Sequence, residues 1–428
     1  MDPRKSAKIL GYNLPEHRKN IAHYMWTIFT ESTQLTTQDL REFPFIIDRD
    51  GPFPISKSFD DILHGSVNNI VDRYRLPEGL DEFRNEEPIA CAFYLMNSLH
   101  ESLLPEYKWD KYQRYPYQES IQYANDLMEV NYVQEIFDHQ YQKICGKSPP
   151  RMNSRIMWSH DIDYLYSAWK SDLITAYRTR QRTRIPSLLY KALTRPHRWN
   201  NIEQILQLEK QVGIHSLFFW ITEHGKAATT NDHYIDHADY SFQNKNVRRL
   251  WNKIVQAGSE NGLHKSAFNS SFRDEMNKLP DQVTINRNHF LKLNVTKHYK
   301  ALESSGLRYD ASLGFPEHHG FRNSFGRPFH PYNIPKNRPY SFIEIPLHLM
   351  DTTFLTYYGW DKCEMMTRMK EFINQHKYAC TLSILLHNSH FDFHDTAEVE
   401  HWHQFFYSQR SMHSVLPTQI GSESRPFN

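Results

Sequence analysis

Cysteine is scarce in this sequence. Cys91, Cys145, Cys363 and Cys380 are the only four among 428 residues, with no CxxC pair and no short regular spacing. Neither a zinc knuckle nor a disulfide framework is indicated, and a reducing compartment fits. An excess of one charge is also missing: 50 basic side chains face 49 acidic ones, a formal charge of +1. No global field then steers the chain toward nucleic acid or a membrane. No apolar run reaches the length of a membrane span. The first twenty residues start charged but lack the apolar stretch of a secretory signal, so a cytoplasmic location is expected. Internal repeats and low-complexity segments are absent. What is present is an ordinary globular balance, 39% hydrophobic, 14% aromatic and 23% charged. A single core rarely grows beyond about 250 to 300 residues, so two domains are expected.

The first domain spans 1–150 and reads as partly helical, with helices over 88–103 and 118–144. In the second of these, Ile121, Ala124, Leu127, Met128, Tyr132, Ile136 and Tyr141 return mostly to one face. No catalytic pattern appears there. Breakers at 146–150 mark a junction. From 151 to 428 short apolar runs alternate with amphipathic stretches, the pattern of βα units around a mainly parallel sheet. Strands are predicted at 155–158, 215–221, 342–347 and 380–386, and helices at 201–212, 244–257, 296–305, 361–376 and 396–409. Gly213, Gly258 and Gly306 stop three of the helices. Six or seven units suit an α/β barrel or a doubly wound sheet, and both carry their chemistry at the C-terminal strand ends.

Three strand ends hold candidate chemistry. In His160-Asp161-Ile162-Asp163 the two carboxylates, two residues apart on a strand, share a face. Such neighbours are costly unless a cation or a proton intervenes, and a metal held by one carboxylate leaves the other as a base. The alternative for the tetrapeptide taken alone is that Asp163 caps a following helix and Asp161 is merely exposed. Gly262-Leu263-His264 places an imidazole where it can complete a metal site begun by Asp163. Leu385-Leu386-His387-Asn388 puts a histidine straight after a buried strand, where a general acid belongs. With 25 histidines in the chain, each of the last two is more ordinary alone than in company.

Taken in order, SHDID (159–163), GLHKSAFNSS (262–271), INRNHFLKL (285–293), GLRYDASLGF (306–315), GFRNSFGRPF (320–329), IEIPLHLMDTT (343–353) and LLHN (385–388) resemble the polysaccharide deacetylases of carbohydrate esterase family 4. The likeness is greater to a bacterial branch in which the barrel follows an uncharacterised N-terminal domain. The resemblance implies a distorted (β/α) barrel over 151–428 and a divalent metal, zinc by expectation. It implies hydrolysis of an N-acetyl group on an amino sugar of a glycan or glycan precursor, through a metal-activated water. By position, Asp161 matches the catalytic base, Asp163 and His264 metal ligands, Arg287 the residue that aims the base, and His387 the general acid. Zinc lowers the pKa of water toward about 7, so a weak carboxylate base suffices.

The family's usual site adds a second histidine four residues after the first, and here that residue is Phe268. Either a nearby residue such as His348 or Asp351 closes the site, or metal binding is lost. In the second case a catalytically degenerate barrel would act as a carbohydrate-binding or scaffold protein. The form His264-x-Ser266-x-Phe268 matches the branch. Arg322, in a Gly-, Asn- and Pro-rich loop expected over the barrel mouth, is a candidate saccharide contact, or a loop anchor. His160 and Asn388 are further candidate saccharide contacts.

Between Arg178 and Arg198 seven basic residues and no acidic one alternate with apolar residues. This reads as a solvated helix face or as a peripheral membrane contact. Nucleic-acid binding is not expected, since no module for it is recognisable. His390, His394, His401 and His403 crowd near His387, but a helix over 396–409 with Val399, Trp402, Phe405 and Phe406 as its apolar stripe leaves the later histidines as surface residues.

Overall fold

The run Arg155–Ile162 (β1) is buried from its second residue onward. Its side chains alternate between two different interiors. Trp158 faces outward onto Thr396–Ser408, with ring centroids 5.9 Å from Phe405 and 5.2 Å from Phe406. Met157 faces the other way, into a cluster with Leu217, Phe219, Ile285, Tyr309 and Ile343. A strand apolar on both faces needs helices outside and a curved sheet within. The computed structural model, which describes residues 14–36, 39, 47–48, 51–170, 173, 177, 183, 185–194, 198–229 and 233–423, has that arrangement.

The remaining strands of the sheet are β2 (Leu217–Trp220), β3 (Glu260–Lys265), β4 (Ile285–Asn288), β5 (Tyr309–Asp310), β6 (Ile343–Glu344), β7 (Leu347–Met350), β8 (Thr381–Leu385) and β9 (His413–Ser414). Their spatial order is β6-β5-β4-β3-β2-β1-β8-β7, with β9 beside the start of β1, and every pairing is parallel. The two outermost strands are consecutive in sequence. The single strand expected over 342–347 is broken at Pro346, which has no N–H to give a ladder. Ile345 still donates to Asp310 and Leu347 to Leu313, at 2.8 and 2.9 Å, so the curled sheet is closed by its own chain. The fold is a distorted (β/α) barrel.

The described helices used below are α1 (Glu16–Thr33), α2 (Pro88–Met96), α3 (Tyr132–Cys145), α4 (Ile202–Val212), α5 (Lys245–Gln256), α6 (Phe272–Met276), α7 (Val295–Ser305), α8 (Lys362–Gln375) and α9 (Thr396–Ser408). Helices α4 and α7 stop where expected, at Gly213 and Gly306, both with positive φ. Helix α8 opens on a capping box in which Asp361 and Glu364 each accept the other's backbone N–H. Two expected helices are shorter than the sequence suggests. The 118–144 stretch yields Ile121–Ala124, a turn with Asp126 at φ 56°, and then α3. Asp tolerates that left-handed backbone, and apolar spacing alone cannot reveal it. The 88–103 stretch ends as α-helix at Met96 and resumes as a 3₁₀ turn, Leu99–Leu103.

Every residue of α2 is buried, and one apolar cluster joins Phe93 and Phe137 to Trp158, Phe321 and Phe325 across the 150/151 junction. The 320–329 loop lies in that seam and not over the mouth. The Asn323 side chain donates to the Met96 carbonyl at 3.1 Å, and the Gly326 N–H to Asn131 at 3.0 Å. Arg322 is buried and bidentate on Glu101, at 2.8 and 2.7 Å, with a third bond to the Gly314 carbonyl. It is therefore a loop anchor and no saccharide contact. Arg322→Ala would strand a buried carboxylate and is expected to cost about 3–5 kcal/mol. Urea denaturation reads that loss, and pairing the change with Glu101→Leu should recover much of it.

Of the basic stretch 178–198, residues 178–182, 184 and 195–197 lie outside the described residues. Ile185–Thr194 within it is helical and exposes Leu189, Tyr190 and Leu193. Among the described residues, no helix is long and apolar enough to cross a membrane.

Candidate metal centre and acid relay

Strand period dictates what reaches the top of the barrel. Along β1, Met157, Ser159 and Asp161 point inward, and Asp163 follows just past the strand end. His160 points the other way. Its ring stacks on Phe218, with one nitrogen 2.9 Å from the Leu386 carbonyl and the other 2.8 Å from Glu209 of α4. Asn388 is also buried away from the mouth, donating to the carbonyls of Tyr164 and Trp199 at 2.8 and 2.7 Å. Both expected saccharide contacts are thus structural, because strand alternation and loop anchoring claim them first.

Asp161 meets Arg287 of β4, whose Nη1 lies 2.8 Å from its Oδ1. Arg287 also donates to Ser159 Oγ at 2.9 Å and to the Ala311 carbonyl at 3.0 Å, and its guanidinium lies 4.3 Å from the centre of the Phe219 ring. Gly262 makes room for that ring: a Cβ there would come within 2.9 Å of Phe219 and of Ile285. The glycine in Gly262-Leu263-His264 therefore serves the floor under Arg287, one strand pair below the histidine.

His264 lies 3.4 Å through Nε2 from Asp161 Oδ2 and 3.4 Å from Asp163 Oδ1. The third partner is His289. Its Nδ1 is 3.1 Å from His264 Nε2 and 3.5 Å from Asp163 Oδ1. His348 and Asp351, the residues expected to close the site, are elsewhere: the His348 Nδ1 accepts the Ser383 N–H at 3.1 Å, and Asp351 binds His387. His289 is correctly aimed because it stands two residues after Arg287 at the end of β4. The chain then turns through Phe290 and Leu291, both with positive φ (60° and 49°). Such backbone is costly for side-chain-bearing residues and persists only where surroundings enforce it.

The outer nitrogens of both rings are committed. His264 Nδ1–H donates to the Arg287 carbonyl and His289 Nε2–H to the Asp236 carbonyl, each at 2.9 Å. Their inner nitrogens consequently face one another and Asp163 Oδ1, a buried oxygen with no hydrogen-bond partner among the described residues. Only a proton or a cation between them relieves that convergence. Zinc bonds of about 2.0–2.1 Å at tetrahedral angles set ligand atoms roughly 3.3 Å apart, close to the separations found. The donor set of one carboxylate and two backbone-anchored imidazoles therefore fits a divalent ion. Burial depresses His289 to about 4, although Asp163 opposes this, so the ring is neutral at neutral pH. Burial also works against His264, but Asp161 and Asp163 outweigh it and raise its pKa. Asp163, despite burial, is held well below the usual carboxylate range by His289, His264 and His387.

Phe268 stacks on His237, with centroids 4.6 Å apart and planes inclined by 28°. His237 follows the hairpin of Lys226–Ala228 and Tyr234–Asp236, and accepts the Ala267 N–H at 3.0 Å. The hairpin was not anticipated from the sequence. It supplies the Asp236 carbonyl that orients His289, so the aromatic at 268 backs the element that holds the other histidine.

His387 sits across from the triangle, its Nε2 3.8 Å from Asp163 Oδ2. Asp351, fully buried just past β7, accepts from the His387 ring at 2.6 Å, from the His387 backbone at 2.6 Å and from the His390 ring at 2.8 Å. Burial alone would lower His387, but Asp351, then Asp163 and Asp161, outweigh it and push it up to about 9. Asp351 is held far below the usual range by the same two histidines, against its own burial. By spacing, Asp351, His387 and His390 form a second possible ligand group among the described residues. Here direct hydrogen bonds from both imidazoles to the Asp351 carboxylate already link the three. His394 and His401 are exposed, as expected of surface histidines beside and on α9.

No family model matches the chain. No curated protein matches it either. Among solved structures it is similar to a protein from Mycobacterium smegmatis described as a polysaccharide deacetylase, at 12% identity and a TM-score of 0.38, over 64% of this chain and 91% of that one. It is also similar to a mutant of a CE4 family pseudoenzyme with restored enzymatic activity, at 10% identity and a TM-score of 0.27, over 65% of this chain and 73% of that one.

Proposed function

We propose that this chain is a metal-dependent hydrolase that removes the acetyl group from an N-acetylated amino sugar in a glycan or glycan precursor. The observation that carries this reading is the convergence of Asp163 Oδ1, His264 Nε2 and His289 Nδ1 between a carboxylate and an imidazolium relay. A divalent ion, zinc by its donor set, would be held by those three atoms and would supply Lewis acidity toward the acetyl carbonyl and the attacking water. Asp161, clamped by Arg287, takes the proton of the attacking water. His387, protonated and oriented by Asp351, gives a proton to the departing amine, which is a poor leaving group without one. Arg287 positions the base through its bond to Asp161. The sugar as substrate rests on the resemblance carried by 159–163, 262–271 and 385–388, and the presence of His289 favours an active site over a degenerate, merely binding barrel.

Metal analysis and acetate release test this together. The purified protein should hold about one divalent ion per chain and release acetate from at least one N-acetylated sugar of a panel. Asp163→Ala should lose both. A protein with no stoichiometric ion, or an ion content that Asp163→Ala leaves unchanged, would overturn the reading.

A further inference from the structure

Between β1 and α4 the chain makes a long excursion from the top of the barrel. Its roots are Tyr164, directly after Asp163, and Trp199, shortly before α4. The Asn388 side chain donates to both of their carbonyls, at 2.8 and 2.7 Å, so the roots are fastened to the residue that follows His387. Residues 165–198 therefore leave the barrel beside the strand ends that carry the proposed metal ligand Asp163 and the proposed acid His387.

Two features set this excursion apart. The first is apolar exposure. Twelve large hydrophobic side chains are exposed among the described residues, and five of them, Trp169, Tyr177, Leu189, Tyr190 and Leu193, fall in it. Leu189 and Leu193, exposed by 48% and 84%, are the only leucines of the twelve. They belong to the helix Ile185–Thr194, where Pro186, Leu189, Tyr190 and Leu193 recur at helical spacing on one face, and all four are exposed. The second feature is charge. From 173 to 202 the sequence holds seven basic residues and no acidic one, in a chain whose total is +1. A solvated helix face turns polar groups outward, whereas this one turns out two leucines and a tyrosine. A second copy of the chain would bring two segments of like charge together. An anionic lipid surface answers both features: its headgroups attract the basic residues, and its interfacial layer takes up the leucines, with tyrosine and tryptophan favoured at that depth.

We infer that the helix Ile185–Thr194 docks on an anionic membrane surface through Leu189, Tyr190 and Leu193, with the basic charge of its segment supplying the long-range attraction. Because the excursion is rooted beside Asp163 and His387, docking holds the barrel mouth near the lipid, where it would meet saccharides carried at that surface. The docking itself does not depend on the hydrolase reading, and only the use made of it does.

Flotation of the full chain with lipid vesicles tests it. The protein should rise with phosphatidylcholine vesicles containing about a third phosphatidylglycerol, and the bound fraction should fall as salt screens the headgroups. Partition onto phosphatidylcholine alone should be weaker by about tenfold or more. Leu189→Ser combined with Leu193→Ser should lower partition onto the anionic vesicles by about tenfold or more. The same double substitution should leave Tm unchanged, since both side chains are already exposed to water. Failure to bind anionic vesicles, equal binding to neutral ones, or binding that survives the double substitution would overturn the inference. So would a wild-type dimer in sedimentation that the double substitution dissolves, which would assign the stripe to a second copy. Absence of acetate release, with lipid binding intact, would count against the hydrolase reading and leave the docking standing.

Discussion

His289→Ala is expected to empty the metal centre and to lower acetate release by about a thousandfold or more, while Phe268→Ala leaves the ion in place. A catalytic ion is normally held by three protein ligands and keeps one open position, and two ligands retain it poorly. Without the ion the chemistry loses both its electrophile and its activated water, each worth several kcal/mol of barrier. Phe268 touches His237 and not the triangle, so its loss loosens a support one residue removed from the ligands. Dialysis followed by elemental analysis separates the two variants directly. Retention of a full equivalent of metal by His289→Ala would show that the ion is held by some other set of atoms.

The second large effect concerns the acid. His387→Gln should reduce kcat by about 10²–10⁴, the range for losing a positioned proton donor. Its pH dependence carries a sign. A general acid works while protonated, and His387 is raised to about 9, so its protonated fraction stays high through neutral pH and falls as pH rises through that value. The alkaline limb of kcat should therefore lie near 9. Asp351→Asn removes the strongest charge sustaining the imidazolium and should move that limb downward. A limb that does not move in Asp351→Asn would exclude His387 as the titrating acid.

Much of the barrel was legible because its signals are local. Gly213 and Gly306 mark helix ends through backbone conformations that other residues avoid, the run at 155–158 falls inside a strand, and the run at 380–386 encloses one, Thr381–Leu385. The roles expected of Asp161, Asp163, Arg287, His264 and His387 fall on side chains that meet. What failed was non-local. Arg322 sits in a turn-rich segment that resembles a mouth loop, and only the fold brings Glu101 to it from 221 residues away. His160 adjoins Asp161 in sequence, but strand period sends it to the opposite face. His289 carries a signal that is readable in the sequence. It stands two residues from Arg287, the same interval that links Asp161 to Asp163, and the same alternation puts each pair on one face. His390 shares Asp351 with His387, a link between distant strand ends that only the fold reveals.

The way the sheet closes bears on how the protein behaves in a crowded solution. Open parallel sheets end in strands whose free N–H and C=O groups can recruit a foreign strand. Here β6 is flanked by Phe329, which bonds Glu344 in both directions, and β7 begins with Leu347 bonded to Leu313. The break at Pro346 lets one short stretch of chain serve as both borders. A barrel that is imperfect as a ladder thereby offers little template for edge-to-edge aggregation.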